Sequence, residues 1–242
     1  VVDEPPDEPS LLVSVRALGL GQIGRSTAGR PIWGGVLPGT PPGMKVGTQG
    51  HIAPLLVVGG IHGDEPSSVE AVVALVARLR AGLLAEPLVV VPALNPDGVA
   101  RGAKNSARDV DLNRNFGARN WKAEHAPGYF PGTAPLSEPE TRLFAELVDA
   151  HAVRGVVAVH APFACVNYDG PARAWAEAVA AACGWPARGD IGYPTPGSLG
   201  SWLGVDRGVP VLTLELPAGP HAAFGQQAAA ALDAAVRPGA LL

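Results

Sequence analysis

The sequence predicts an α/β fold: one domain on a mixed, mostly parallel sheet flanked by helices on both faces. Three observations carry that expectation. Short apolar runs such as "APLLVVGG" (53–60), "LVVVPAL" (88–94) and "VVAVH" (156–160) have the length and continuity of strands buried on both sides. They alternate with longer segments of helical periodicity, the arrangement that builds a covered parallel sheet. The chain has 242 residues, 47 % of them hydrophobic, enough for one substantial core.

The opening "VVDEPPDEPS" (1–10) reads as a flexible acidic, Pro-rich tail, with a single domain over 11–242. "SLLVSVRAL" (10–18) reads as a first strand. "GRSTAGRPIWGGVLPG" (24–39) carries the glycine punctuation of a hairpin whose return strand covers roughly 31–37. After the strand at 53–60, "SSVEAVVALVARLRAG" (67–82) is helical, with Ser67 and Glu70 spaced as a capping box and Gly82 near its end. "PLVVVPALNPDG" (87–98) is a buried strand running into a turn. "SEPETRLFAELVDAH" (137–151) starts a second helix with Ser137 at the cap, Pro139 in the first turn and Glu140 three residues after the serine. "VRGVVAVHA" (153–161) and "VPVLTLELP" (209–217) are further strands. "PARAWAEAVAAACG" (171–184) and "HAAFGQQAAAALDAAV" (221–236) are helices.

Composition narrows the function. A net charge of −4 with scattered Lys and Arg leaves no footprint for nucleic acid. No run of 18 apolar residues exists, so no membrane insertion is expected. Cys165 and Cys183 make neither a disulfide framework nor a CxxC metal pair and read as free core thiols. The N-terminal residues lack a basic segment followed by an apolar one. The expected compartment is the cytoplasm, with a periplasmic or secreted location left open.

Ligands of open α/β sheets bind beyond the carboxyl ends of the strands, and chemistry-bearing residues collect there. His62 and Glu65 follow the strand ending at Gly60, His160 ends "VVAVH", Glu215 ends "VLTLE", and "NPDG" follows "LVVVPAL". Two histidines and a carboxylate with an open fourth position form a ligand set for catalytic zinc. A single His-x-x-Glu pair is weak evidence, and a lone His160 is more often a polar cap. Glu215 sits in an apolar stretch where a carboxylate needs a partner or a use. It is either half of a buried ion pair or a general base tuned by burial. In "DVDLNRNF" (109–116), Arg114 has the planar fork for a substrate carboxylate and Asn113 an amide beside it. Asp111 orients a ligand or loop, or caps a turn.

Together "HGDE", "NPDG", "DLNRNF", His160 and "TLELP", running from about 57 to 217, resemble the zinc metallocarboxypeptidase family. The resemblance implies one Zn2+ on His62, Glu65 and His160, with Glu215 as general base and acid. It also implies Asn113 and Arg114 as the clamp for a terminal carboxylate. The family carries an arginine that polarises the scissile carbonyl; here spacing puts Lys104 in its place, with Arg101 and Arg108 as rivals. Within the family, "FPGTAPLSEPETR", "VHAPFACVNYDGPA" and "GYPTPGSLGSW" resemble the small bacterial murein peptide amidases. Those enzymes cleave the γ-D-glutamyl–meso-diaminopimelate bond. The implied partner is then a small murein peptide bearing carboxylates and an amine. Asn167, Tyr168, Asp169, Tyr193, Thr195 and Ser198 are candidates to recognise it, each with a structural role as the competing reading. Two other functions compete: an N-acyl amino acid deacylase of the aspartoacylase or succinylglutamate desuccinylase type, and a non-catalytic binding module. Retention of "NPDG" and "GYPTPGS" argues against the first, and retention of every ligand and of Glu215 against the second.

Overall fold

The computed structural model describes residues 8–39, 53–81, 87–237 and 239–241. Its elements in chain order are α1 (Ser10–Ala17), β1 (Gly21–Arg25), β2 (Pro31–Leu37), β3 (Leu55–Val58), α2 (Pro66–Arg80) and β4 (Leu88–Val91). They continue with α3 (Pro96–Arg101), α4 (Pro139–His151), β5 (Gly155–His160), β6 (Phe163–Asp169), α5 (Arg173–Cys183), β7 (Ala187–Arg188), β8 (Val211–Pro217) and α6 (Gly225–Val236). The eight strands form one sheet in the order β1-β2-β4-β3-β5-β8-β6-β7. β4, β3, β5 and β8 are mutually parallel, while β1 on β2, β2 on β4, and β6 on β8 are antiparallel.

Strand periodicity divides the core into two layers. Leu55, Val57, Val157, Val159, Leu212 and Leu214 pack toward α2, α5 and α6. Leu56, Val58, Val156, Ala158 and Val211 pack toward α4 and the separate segments that carry Phe116 and Trp202. On that second face the side chains change character along each strand. Val156 gives way to Ala158 and then His160; Val211 gives way to Thr213 and then Glu215. Register pairs His160 with Glu215 and Glu215 with Cys165, so one row across β5, β8 and β6 carries all three. Connections from β3 through α2 to β4, and from β4 through α4 to β5, lie on opposite faces. A crevice therefore opens at the carboxyl ends of β3 and β5.

The sheet, its strands at 31–37, 53–60, 88–91, 153–161 and 209–217, and the four long helices are as expected. Residues 10–18 are not a strand. They form α1, because Leu12 and Val15, one helical turn apart, bury against Val69, Ala93 and Val99. The β-branched residues suggested extension, but the hairpin's first strand is Gly21–Arg25. Neither expected capping box forms. Pro66 starts α2 a residue early, so Ser67 lies inside the helix. Ser68 instead donates its hydroxyl to the Glu65 carbonyl and accepts from Gly60 N–H. At α4, Asn115 Oδ1 takes the Glu138 N–H, while Glu140 accepts from Thr27 in the hairpin turn. β6, the short α3 and a π-helical turn at Gly200–Val205 had no periodic signal. The expected tail falls mostly, and Gly82 wholly, outside the described residues.

Two glycines place the loop after β3. Gly60 adopts φ +58° at the strand end, where a Cβ would press on Val69 and Ala93. Gly63 has a Cβ position that overlaps the backbone of Gly98 and Val99 in α3. Gly63→Ala is therefore expected to displace the 61–65 loop and destabilise the protein by about 1–3 kcal/mol in urea unfolding. An unchanged midpoint would show that the loop and α3 do not meet so closely.

Candidate active site

The loop built by those glycines delivers His62 and Glu65 to the end of β5. Glu65 caps α2 and faces both imidazoles: Oε1 lies 2.7 Å from His62 Nδ1 and Oε2 lies 3.0 Å from His160 Nδ1. Oε2 also accepts the Ala161 N–H at 3.2 Å. The rings of His62 and His160 meet edge-on, 4.8 Å between centroids. Ligand-capable atoms of His62, Glu65 and His160 all fall within 4.8 Å of one another. Two imidazole nitrogens and one carboxylate on a common point match the donors zinc takes at a catalytic site.

Asp111 sits behind this group with no exposed surface. Its Oδ1 meets His62 Nε2 at 3.0 Å and accepts Asn113 N–H at 2.9 Å, while Oδ2 pairs with Lys104 Nζ at 2.8 Å. Both readings of Asp111 from sequence therefore apply: it orients the ring and caps the turn. Burial alone would push the His62 ring toward neutrality, but Asp111 and Glu65 outweigh it and raise it to about 9. Burial opposes the Glu65 charge as well, yet His160 and His62 hold that carboxyl at about 2.

Glu215 faces the same space. It is 5 % exposed, and its Oε2 is buried with no hydrogen-bond partner among the described residues. Burial raises its pKa above the ordinary carboxylate value, helped by Glu65 and opposed by His160 and the Phe163 backbone N–H. Its strand neighbour Cys165 is a free buried thiol, pushed to about 11 by burial and by Glu215 itself. Cys183 is also free and buried.

A cavity of about 540 Å³ joins these groups to Lys104, Asn113, Arg114, Tyr193, Thr195 and Ser198. Arg114 is 6 % exposed and bonds the Asn113 carbonyl, with no carboxylate paired to it among the described residues. Asn113 Oδ1 accepts Leu199 N–H at 3.0 Å, which leaves its NH2 group facing outward as a donor. Below, Phe116 stacks on Trp202 and meets Phe144 edge-on, each with centroids 5.5 Å apart. Lys104 Nζ lies 3.7 Å from the Tyr129 ring centroid.

Some expected residues stand elsewhere. Arg101 turns its guanidinium onto the carbonyls of Asp97, Asn105 and Ser106 and does not line the cavity. Arg108 lies 3.6 Å from Glu138 at the surface. Tyr168 alternates to the opposite face of β6 and packs with the α5–α6 layer, while Asn167 and Asp169 line the cavity. "NPDG" supplies scaffold: Asn95 binds the carbonyls of Ile61 and Lys104, and Asp97 accepts the Ala28 N–H. Tyr129 and Thr213 line the site without a signal that singled them out; Tyr129 lies in the irregular "HAPGYFPG" segment.

The zinc carboxypeptidase family model matches residues 16–174. The chain belongs to the zinc carboxypeptidase family. Murein peptide amidase A of Escherichia coli K12 is 36 % identical over 174 residues, 67 % of this chain and 70 % of that one. The enzyme of the same name from Vibrio campbellii is 32 % identical over 176 residues, 67 % of this chain and 68 % of its own. Among solved structures, the murein-tripeptide amidase of Escherichia coli O157 superposes with a TM-score of 0.71 at 30 % identity, covering 90 % of this chain and 92 % of that one. Bovine thrombin-activatable fibrinolysis inhibitor shares the fold, with a TM-score of 0.74 at 16 % identity over 94 % of this chain and 93 % of that one. This zinc carboxypeptidase is accordingly a metallohydrolase, and its His62–Glu65–His160 group is positioned to hold the metal. No helix among the described residues is long and apolar enough to cross a membrane.

Asp111→Ala leaves His62 Nε2 unheld and is expected to weaken zinc binding roughly 10–100-fold in chelator competition. Parent-like affinity would remove Asp111 from that role. A metal must take the lone pair of a neutral His62 ring, so binding expels a proton wherever the pH is below about 9. Zinc affinity should then fall by up to about tenfold per pH unit below that point for this proton. Calorimetry in buffers of different ionisation enthalpy measures the release; a buffer-independent heat at neutral pH would contradict it.

Proposed function

We propose that the chain is a zinc-dependent amidase hydrolysing the γ-D-glutamyl–meso-diaminopimelate bond of murein peptides. One observation carries the catalytic part: a single cavity gathers the metal-binding group, a buried carboxylate oxygen without a hydrogen-bond partner and a buried guanidinium with no carboxylate at ion-pair distance among the described residues. The substrate follows the relatives named murein peptide amidase.

His62, Glu65 and His160 would hold the ion, with Asp111 fixing the His62 ring. Zinc supplies Lewis acidity toward water and toward a carbonyl oxygen. The chain's own groups do the rest. Arg114 takes the terminal carboxylate of the peptide, since a buried guanidinium needs an anion to offset its desolvation. Asn113 adds a hydrogen bond from its free NH2 group, and Leu199 N–H fixes which way that amide points. The scissile amide then lies between the metal group and Glu215. Glu215 accepts a proton at Oε2 from the attacking water and delivers it to the leaving nitrogen. Its raised pKa suits both halves of that transfer. Lys104 stands on the cavity wall as a point charge for the developing oxyanion, held there by Asp111 and Tyr129. Arg101 has no such place. Tyr193, Thr195 and Ser198 line the approach for the peptide.

Mass spectrometry of L-Ala-γ-D-Glu-meso-diaminopimelate incubated with the zinc-loaded protein tests the reading. Release of diaminopimelate by the parent is expected. Glu215→Gln should keep its zinc and lose roughly 10²–10⁴-fold in turnover. An intact peptide beside a fully zinc-loaded parent would defeat the substrate assignment, and an active Glu215→Gln would defeat the assignment of the base.

A further inference from the structure

The turn between β1 and β2 (26–30) is clasped by three buried carboxylates that take no part in the catalytic cavity. Asp97 of α3 accepts the Ala28 N–H at 2.8 Å, and Glu140 of α4 accepts the Thr27 N–H at 2.8 Å. Thr27 Oγ1 then lies between two acids, 2.9 Å from Glu138 Oε2 and 3.1 Å from Glu140 Oε2. Three buried negative charges need cations or protons. Arg30 stands 3.6 Å from Asp97 and Arg108 stands 3.6 Å from Glu138, both reaching in from the surface. Among the described residues no cation pairs with Glu140.

Hydrogens run short by one. A hydroxyl has a single hydrogen to give, and Thr27 Oγ1 has a carboxyl oxygen on each side. With both acids ionised, one of those contacts would set lone pair against lone pair. Glu138 has the surroundings of a charged group: Ser106 Oγ and Ser137 Oγ donate to it at 3.3 and 3.2 Å, besides Arg108. Each serine oxygen already accepts from elsewhere, Ser106 from the N–H groups of Arg108 and Val110, Ser137 from the Asn115 amide. Their hydrogens are therefore directed at Glu138. The network closes without a gap when Thr27 also gives its hydrogen to Glu138 and receives one from Glu140. Burial, the largest influence, raises the Glu140 pKa; bonds from Thr27 oppose the rise and the Glu138 charge adds to it.

We infer that Glu140 is a neutral carboxylic acid that donates its proton to Thr27 Oγ1, latching the hairpin turn onto the loop behind the active site, and that rising pH opens the latch. Glu138 makes the connection, since it holds Thr27 on one side and Ser106 on the other. Ser106 lies between Lys104 and Asp111, the pair that backs the His62 ring. A carboxyl that holds its proton more tightly in the folded chain stabilises the fold fully below the ordinary glutamate value, about 4.3. That stability is lost as pH rises through the raised folded value.

Glu140→Gln tests the latch, because its NH2 group can donate to Thr27 Oγ1 as the acid O–H does while Oε1 still accepts the Thr27 N–H. Urea unfolding of the zinc-loaded parent and variant is compared across pH, so that every other titrating group cancels. The ratio of parent to variant unfolding constants should climb by up to about tenfold per pH unit above about 4.3, levelling where Glu140 loses its proton. Hydrogen exchange at the Thr27 and Ala28 amides, referred to the variant at each pH, should accelerate in the parent above that same level. A ratio that stays flat or falls with pH overturns the inference. Where Glu140→Gln does not fold, carbon-13 NMR of the labelled parent decides. The Glu140 carboxyl should bind its proton at least about tenfold more tightly than an ordinary glutamate, and a smaller gain overturns the inference.

Discussion

Everything in the site depends on one carboxylate being shared. Glu65 reaches two imidazoles, one on the loop after β3 and one at the end of β5, and through Ala161 N–H it also grips the chain just beyond β5. Its backbone sits at the head of α2, where the partial positive charge of the helix favours an anion. The position requires a strand that stops on time, a glycine turn, and a helix that begins at Pro66. The β3–α2 corner is therefore the part of the sequence under the tightest geometric demand. A shift of one residue in where α2 begins would carry the carboxylate off the histidine pair.

A second carboxylate links metal chemistry to substrate binding. Asp111 touches the His62 ring, the turn that carries Asn113 and Arg114, and the Lys104 ammonium. Complete burial would make it costly if left alone, and three partners explain why the chain tolerates it. The short sequence "DLNR" thus packs two functions into four residues. Its aspartate turns inward to the ligand ring, while its Asn-Arg pair turns outward to the cavity.

Much of this was legible in the sequence because strand ends in an α/β sheet converge by topology. His62, Glu65, His160, Glu215 and Arg114 each follow or end an apolar run, or lie in a compact polar motif. Where sequence reading failed, the deciding contact was tertiary. The sequence of α1 resembles a strand, and the helix is set by packing on Val69 and Val99. Ser67 and Ser137 fit a cap by spacing, but Pro66 and Asn115 took the work. Among the three cations weighed for the carbonyl, spacing could not show that Arg101 turns back on its own loop. Tyr129 carries no periodicity at all; its place beside Lys104 and Arg114 comes from a long irregular segment folding across the site.

The bond from Leu199 N–H to Asn113 Oδ1 joins segments 86 residues apart, and a second one, from Phe116 N–H to the Gly197 carbonyl, runs beside it. The two bonds tie these segments into one wall of the cavity. Changes at 199 or 197 and changes at 113 or 114 therefore act on the same wall, and their energies do not add. A lineage altering what the pocket accepts would have to revise both segments together, so evolution of new specificity in this fold is gated by epistasis across that wall.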